Sequence, residues 1–176
     1  MSYLKDFIIT FSSLSLGNHS FDLEFDDKFF AQFEFSEIKR GKGTIQVELE
    51  KKERMLVFDI MIDGWVEVTC DRCLELFKYD IYTEERLFVK FGEAYEEQSE
   101  DVIVIPEGSF EYDLTQFIYE LINLALPIKI VHPDDEDGNS LCNPEIIARL
   151  ESLKPKHDID PRWDSLLGLM EKPEEN

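Results

Sequence analysis

From Thr44 to Ile105 hydrophobic and polar residues alternate with a period of two. Ile45, Val47 and Leu49 share one parity while Thr44, Gln46, Glu48 and Glu50 share the other, the pattern of a strand with one face in a core. A charged turn, Lys51-Lys52-Glu53-Arg54, leads into Leu56, Phe58, Ile60 and Ile62, opposed by Asp59 and Asp63. A hairpin is the simplest reading. Gly64 permits a bend or bulge, after which the parity resumes at Val66, Val68 and Cys70, then Phe77, Tyr79 and Ile81, then Leu87, Val89 and Phe91. Cys70 and Cys73 sit where one strand turns into the next. Upstream, Phe7, Ile9 and Phe11, then Leu14 and Leu16, then Phe21, Leu23 and Phe25 read as short strands, and Phe29, Phe30 and Phe33 have the spacing of one helical turn. The glutamate-rich stretch 92–101 favours a solvated loop before the apolar run Val102 to Ile105.

Past residue 112 the period changes. Leu114, Phe117, Ile118, Leu121, Ile122 and Ala125 follow helical spacing with one buried stripe, which predicts a helix from Asp113 to Leu126 with Glu120 pointing away from the core. Asp113 can cap its first amides, Gln116 can reach back as in a capping box, and Pro127 ends it. Two shorter helices are signalled by Asn143-Pro144 before Ile146, Ile147 and Leu150, and by Asp160-Pro161 before Trp163, Leu166, Leu167 and Met170. The expected class is α+β: an antiparallel, partly barrel-like sheet in the N-terminal two-thirds, then one long and two short helices. A single domain over 1–170 and a polar tail over 171–176 suit a chain of 176 residues. The segment Pro133 to Ser140, with Asp134, Asp135, Glu136 and Asp137, is expected to be mobile.

Composition matters more for function than for fold. With 39 acidic against 18 basic residues the formal charge is −21, so the chain repels phosphate globally and needs a local reason to bind it. Fourteen phenylalanines, six tyrosines and two tryptophans place that charge on a folded surface, not a disordered acidic chain. No stretch reaches the ~20 apolar residues of a membrane span, and three cysteines do not make a disulfide framework. The expected compartment is the cytoplasm, with no membrane partner.

The sharpest chemical feature is Cys70-Asp71-Arg72-Cys73, which puts two sulfurs on one tight turn. Zinc held by such a pair needs two further thiolate or imidazole ligands, and His132 and Cys142, at the two ends of the acidic segment after the helix, are candidates. The alternative is three structural thiols without metal. A thioredoxin-like role would place the pair at a helix N-terminus in a βαβ unit, whereas strands flank it here. His19, His132 and His157 fall in separate polar segments without a nucleophile motif, so no catalytic residue is assigned. One local exception to the acidity exists. Lys39, Arg40, Lys42, Lys51, Lys52 and Arg54 lie at both ends of one predicted strand, a possible RNA-facing edge; the alternative is that they deter edge-to-edge association.

The run Val68-Thr69-Cys70-Asp71-Arg72-Cys73-Leu74-Glu75, followed by Tyr112-Asp113-Leu114 opening a helix that ends Leu124-Ala125-Leu126-Pro127, resembles the YceD family, and Asp160-Pro161-Arg162-Trp163 with Leu166 and Leu169 looks like its C-terminal signature. The matching positions are Cys70, Arg72, Cys73, Asp113, Glu120, Pro127, His132, Cys142, Asp160, Pro161, Arg162 and Trp163. Many relatives carry additional cysteines after the helix where this chain has only Cys142, which leaves a mixed Cys/His site or none. The resemblance implies a role in accumulation or processing of large-subunit (23S) ribosomal RNA. The leading expectation is a non-enzymatic ribosome-biogenesis factor whose partner is a basic ribosomal protein or the large-subunit precursor particle. The alternative is a zinc-dependent or acid-base ribonuclease acting on precursor ribosomal RNA, which lacks a recognisable base, open metal position and basic groove.

Overall fold

The period-two segments become long strands because their apolar parity has a core to enter. The computed structural model describes residues 3–154; the predicted helix after Asp160, with Pro161, Arg162 and Trp163, and the 171–176 tail lie outside them. In chain order the elements are β1 (Ile8–Ile9), β2 (Gly17–Phe25), α1 (Asp27–Phe30), β3 (Gly41–Lys51), β4 (Met55–Thr69), β5 (Leu76–Gly92), β6 (Glu96–Ser99), β7 (Val102–Pro106), β8 (Tyr112–Asp113), α2 (Thr115–Leu124) and α3 (Pro144–Leu153). Phe7 and Phe11 belong to 3-10 turns, Tyr3–Phe7 and Phe11–Ser13, and not to the short strands expected there. Both rings are nevertheless buried, since a short 3-10 turn can deliver a side chain to the core as well as a strand can.

Six strands form a sheet in the order β2-β3-β4-β5-β7-β6, and β1 pairs with β8 in a separate ribbon. The β3–β4 hairpin turns at the charged residues, with Lys51 opposite Leu56 and Gly43 opposite Gly64. Two expectations need correction. The large sheet is mixed, because β7 runs parallel to β5, and it is open, because β2 and β6 are its two edges and do not meet. Nor is the stretch 92–101 wholly loop: residues 96–99 form β6, an exposed strand paired with β7, whose glutamates are what an edge strand carries to discourage further pairing.

Gly64 marks neither a bend nor a bulge; β4 runs through it in continuous register. Its role is clearance. A Cβ at Gly43 would lie 2.4 Å from the Phe25 ring and from the Asp63 carbonyl, and one at Gly64 would lie 2.5 Å from the Lys42 carbonyl. The paired glycines make a flat seat on which Phe25, fully buried, packs against Phe29 and Phe30.

One face of the sheet carries the core, where Ile45, Leu49, Leu56, Phe58, Ile60, Ile62 and Leu87 meet Leu114, Ile118, Leu121 and Ile122 from the start and inner stripe of α2. Phe117 is half-buried against the same core, and Tyr119 stacks on Phe33 at 3.8 Å. α2 is shorter than expected, with Ala125 as its C-cap, and α3 has the same ten residues, so the contrast of one long and one short helix does not hold. Asp113 Oδ1 accepts from the Thr115 amide at 2.8 Å, but Gln116 donates forward to Glu120 and not back. The first turn is capped by a single acceptor. Among the described residues no helix is long and apolar enough to cross a membrane.

Candidate metal centre

The knuckle forms because β4 and β5 are joined by a turn too tight for a run of non-glycine residues to make without one left-handed backbone. Leu74 takes that conformation, at φ 63°, while its amide donates to the Cys70 carbonyl at 2.9 Å and the Cys70 amide donates to the Glu75 carbonyl at 2.9 Å. The turn brings both sulfurs to the same side. The second pair of ligands arrives on the chain leaving α2. Asp71 docks that chain: its amide donates to the Ile130 carbonyl at 2.7 Å, and its carboxylate accepts from the Ile130 amide at 2.6 Å. His132 follows two residues later and stacks on Phe77 of β5, with ring centroids 4.3 Å apart.

Cys142 is returned to the knuckle by the acidic segment, which folds as a hydrogen-bonded turn. Asp135 Oδ1 accepts from the amides of Asp137 and Asn139, Gly138 supplies the positive φ of 81°, and Asp134 and Ser140 bridge as a short antiparallel pair. Those amide donors, chiefly Asn139, hold the Asp135 carboxyl below the usual carboxylate range. Arg72 then reaches across to donate to Ser140 Oγ at 3.1 Å, and Asn143 donates to Glu75 at 2.7 Å while capping α3. Arg72 and Asn143 thus tie the two halves of the site together.

The four expected ligands converge. Cys70, Cys73, His132 and Cys142 offer ligand atoms that all lie within 4.8 Å of one another, and the three cysteines are buried and unpaired. Tetrahedral bonds of about 2.3 Å to sulfur and about 2.0 Å to nitrogen put two sulfurs about 3.8 Å apart and a sulfur and nitrogen about 3.5 Å apart. The observed separations are 3.7 Å for Cys70 and Cys142, and 3.4 Å for Cys73 Sγ and His132 Nδ1. Burial raises the Cys70 thiol, but hydrogen bonds from the amides of Cys73, His132 and Arg72 and from the His132 ring outweigh it and bring it down to about 6. At Cys142 the Ser140 hydroxyl lowers the thiol, while burial and the other two sulfurs push it upward overall. The group can therefore hold a metal ion, and Cys70 is poised to bind it as thiolate.

The basic residues behave differently. β3 spans about 34 Å at ~3.4 Å per residue, so Lys39, Arg40 and Lys42 at one end cannot share a patch with Lys51, Lys52 and Arg54 at the other. Arg40 pairs with Glu67 at 3.2 Å and lies 3.9 Å from Asp27, Lys52 pairs with Glu50, and Lys51 donates to the carbonyls of Phe11 and Leu14. Lys39, Lys42 and Arg54 remain exposed. Of the family-motif positions, Arg72 and Asp113 serve the structural contacts above, Glu120 is on the exposed side of α2, and Asp160, Arg162 and Trp163 lie outside the described residues. Sequence reasoning missed the roles of Asp71, Glu75 and Ser140, and read Asn143 only as a helix start. Asp71 could have been noticed as the polar residue inside the knuckle; Glu75 and Ser140 carry no signal apart from the fold.

A model of the family described as large ribosomal RNA subunit accumulation protein YceD matches residues 58–170, which include all four ligand positions. No curated protein and no solved structure matches the chain. The matched segment runs through most of the sheet, the knuckle and both helices beyond it, and the chain belongs to the YceD family of large ribosomal RNA subunit accumulation proteins.

Proposed function

We propose that this chain acts in assembly of the large ribosomal subunit by binding and not by bond making, with Cys70, Cys73, His132 and Cys142 holding zinc as a structural ion. The observation that carries the reading is the donor set. Three sulfurs and one imidazole fill a tetrahedron from the protein alone, which is the composition of structural zinc sites; catalytic sites keep a position for water or substrate. The ion would fix the β4–β5 turn, the chain after α2 and the start of α3 relative to one another. The partner is a basic ribosomal protein or the precursor particle that contains it. The sheet face away from the core supports this, since Glu24, Asp63, Asp80 and Glu84 are exposed on it beside the half-buried Trp65 and Met61, and a negative, partly apolar face complements a cationic protein.

Crosslinking in growing cells should recover large-subunit proteins or their precursor particle with this chain, and purified zinc-loaded protein should leave precursor ribosomal RNA intact in magnesium. Cleavage that copurifies with the protein and is lost in Cys73→Ser would overturn the binding reading in favour of a zinc-dependent nuclease.

A further inference from the structure

β5 is paired with β4 from Leu76 to Lys90, but with β7 only from Phe88 to Gly92. The rest of its far edge carries bare backbone. Which groups face that edge follows from the register. The Cys70 amide donates to the Glu75 carbonyl and the Phe91 amide to the Arg54 carbonyl, so odd-numbered residues of β5 direct their backbone bonds to β4 and even-numbered ones turn away from it. The Phe88 amide follows the same parity, donating outward to the Asp101 carbonyl at 2.8 Å. Among the described residues the outward amides of Tyr82, Glu84 and Arg86 therefore have no strand to bond. The gap is bounded at both ends. The chain after α2 flanks Phe77 to Asp80, and β7 begins opposite Phe88, which leaves residues 81–87, about 24 Å at ~3.4 Å per residue, within the usual length of a strand. Charged side chains projecting from a bare edge ordinarily guard it. Here they lean back over β4: Arg86 is bonded to Asp59, Lys78 has its ammonium 4.0 Å above the Trp65 ring, and the Tyr82 hydroxyl meets Met61 Sδ at 3.5 Å.

We propose that residues 81–87 of β5 take up an extended, basic segment of a ribosomal protein as an added strand in line with β7, which rests on the assembly reading above. Main-chain bonds to the outward amides and carbonyls supply affinity in such strand addition, and alternate side chains supply specificity. The charge around the gap selects the partner. Asp63, Asp80, Glu84 and Glu85 are exposed around it, while the nearest cations, Arg86 and Lys78, are engaged on β4. Side chains at every second position of a strand share a face, so a segment with Lys or Arg at that spacing lays its cations in a row beside Asp80 and Glu84. Its other parity lies beside Ile81, buried, and Thr83, half-buried, where small or apolar residues fit. The competing occupant is a second copy of this chain. Each copy carries −21, so pairing β5 with β5 brings like-charged molecules together, and an acidic segment meets the same repulsion from Glu84 and Glu85.

The test is fluorescence anisotropy of the zinc-loaded full chain with a labelled ten-residue peptide of alternating Lys and Thr. Two control peptides accompany it: the same sequence N-methylated throughout its backbone, which keeps the charge and cannot donate, and one of alternating Glu and Thr. The Lys peptide should bind, and both controls should bind at least about tenfold more weakly. Tyr82→Pro removes an outward amide and no bond to β4, the position at which a strand tolerates proline. It should melt normally and weaken the Lys peptide at least about tenfold, while Tyr82→Ala should stay within about threefold. No binding of the Lys peptide, equal binding of its methylated form, equal binding by a normally melting Tyr82→Pro chain, or a dimer of the free chain that Tyr82→Pro converts to monomer overturns the proposal. If the Pro variant melts early, the methylated peptide decides on the unaltered chain. Loss of peptide binding while crosslinking to the precursor particle persists removes the added strand and keeps the assembly role; the reverse result removes the assembly role and leaves the edge.

Discussion

α3 rests on the cluster of Cys70, Cys73 and Cys142 for its place in the fold, and that dependence can be measured. None of its residues is fully buried; Ile146 and Ile147, half-buried, pack on the cluster of Cys70, Cys73 and Cys142. A ten-residue helix is marginal alone in water, because nucleation is unfavourable and few hydrogen bonds follow it. Half-burying two isoleucines stabilises by about 2–3 kcal/mol in total, so docking should slow amide exchange in α3 by roughly 30- to 150-fold over the undocked helix, at 1.4 kcal/mol per tenfold. Cys142→Ser should lose the ion and that protection together. The assay is hydrogen exchange read by mass spectrometry, alongside zinc content. Peptides from Ile147 to Leu153 should exchange faster by about that factor, while those covering Ile60 and Ile62, buried in the separate main cluster, should change by less than about threefold. Retained zinc with full α3 protection would refute the ligand assignment. Equal acceleration in α3 and in β4 would refute the separation of the metal centre from the main core.

Two further outcomes test the core. Leu121→Ala should destabilise by roughly 2–5 kcal/mol in urea unfolding, because Leu121 is only 4% exposed on the inner stripe of α2; a change below about 0.5 kcal/mol would mean the stripe does not face the sheet. Gly43→Ala should cost at least about 2 kcal/mol, since backbone as well as the Phe25 ring must yield, whereas Gly108→Ala, with nothing within 4 Å of its new methyl, should be close to neutral in the same melt.

Legibility followed the range of the cause. The β3–β4 hairpin could be read because parity and turn chemistry are local: Leu56, Phe58, Ile60 and Ile62 all proved buried on one face. The inner stripe of α2 could be read for the same reason, at period 3.6. The convergence of the four candidate groups was legible through scarcity, since three cysteines and three histidines leave few ways to complete a tetrahedron around a Cys-x-x-Cys turn. What failed was non-local. Nothing in Val102 to Ile105 says that β7 lies parallel to β5, because that pairing is decided across the sheet. β6 has the composition of a loop because an exposed edge strand and a loop are under the same demand for charge. Gly64 imitates a bulge because its reason, the Lys42 carbonyl and the Gly43 Cα on the neighbouring strand, lies across the sheet and not beside it in sequence. The turn in the acidic segment was not legible because it is built from amides folded onto one carboxylate, Asp135, which composition cannot distinguish from the solvated acids beside it.

The charge distribution connects these features to function. A protein with net charge −21 is repelled by ribosomal RNA, which weakens non-specific phosphate contacts. Under the proposed function it approaches where basic ribosomal proteins already screen the RNA, and its acidic sheet face is complementary to such a partner. On the same reading the cysteines serve that contact through stability: they fix the β4–β5 turn, the chain after α2 and the start of α3 relative to one another, and Arg72, bonded to Ser140, ties the same segments together.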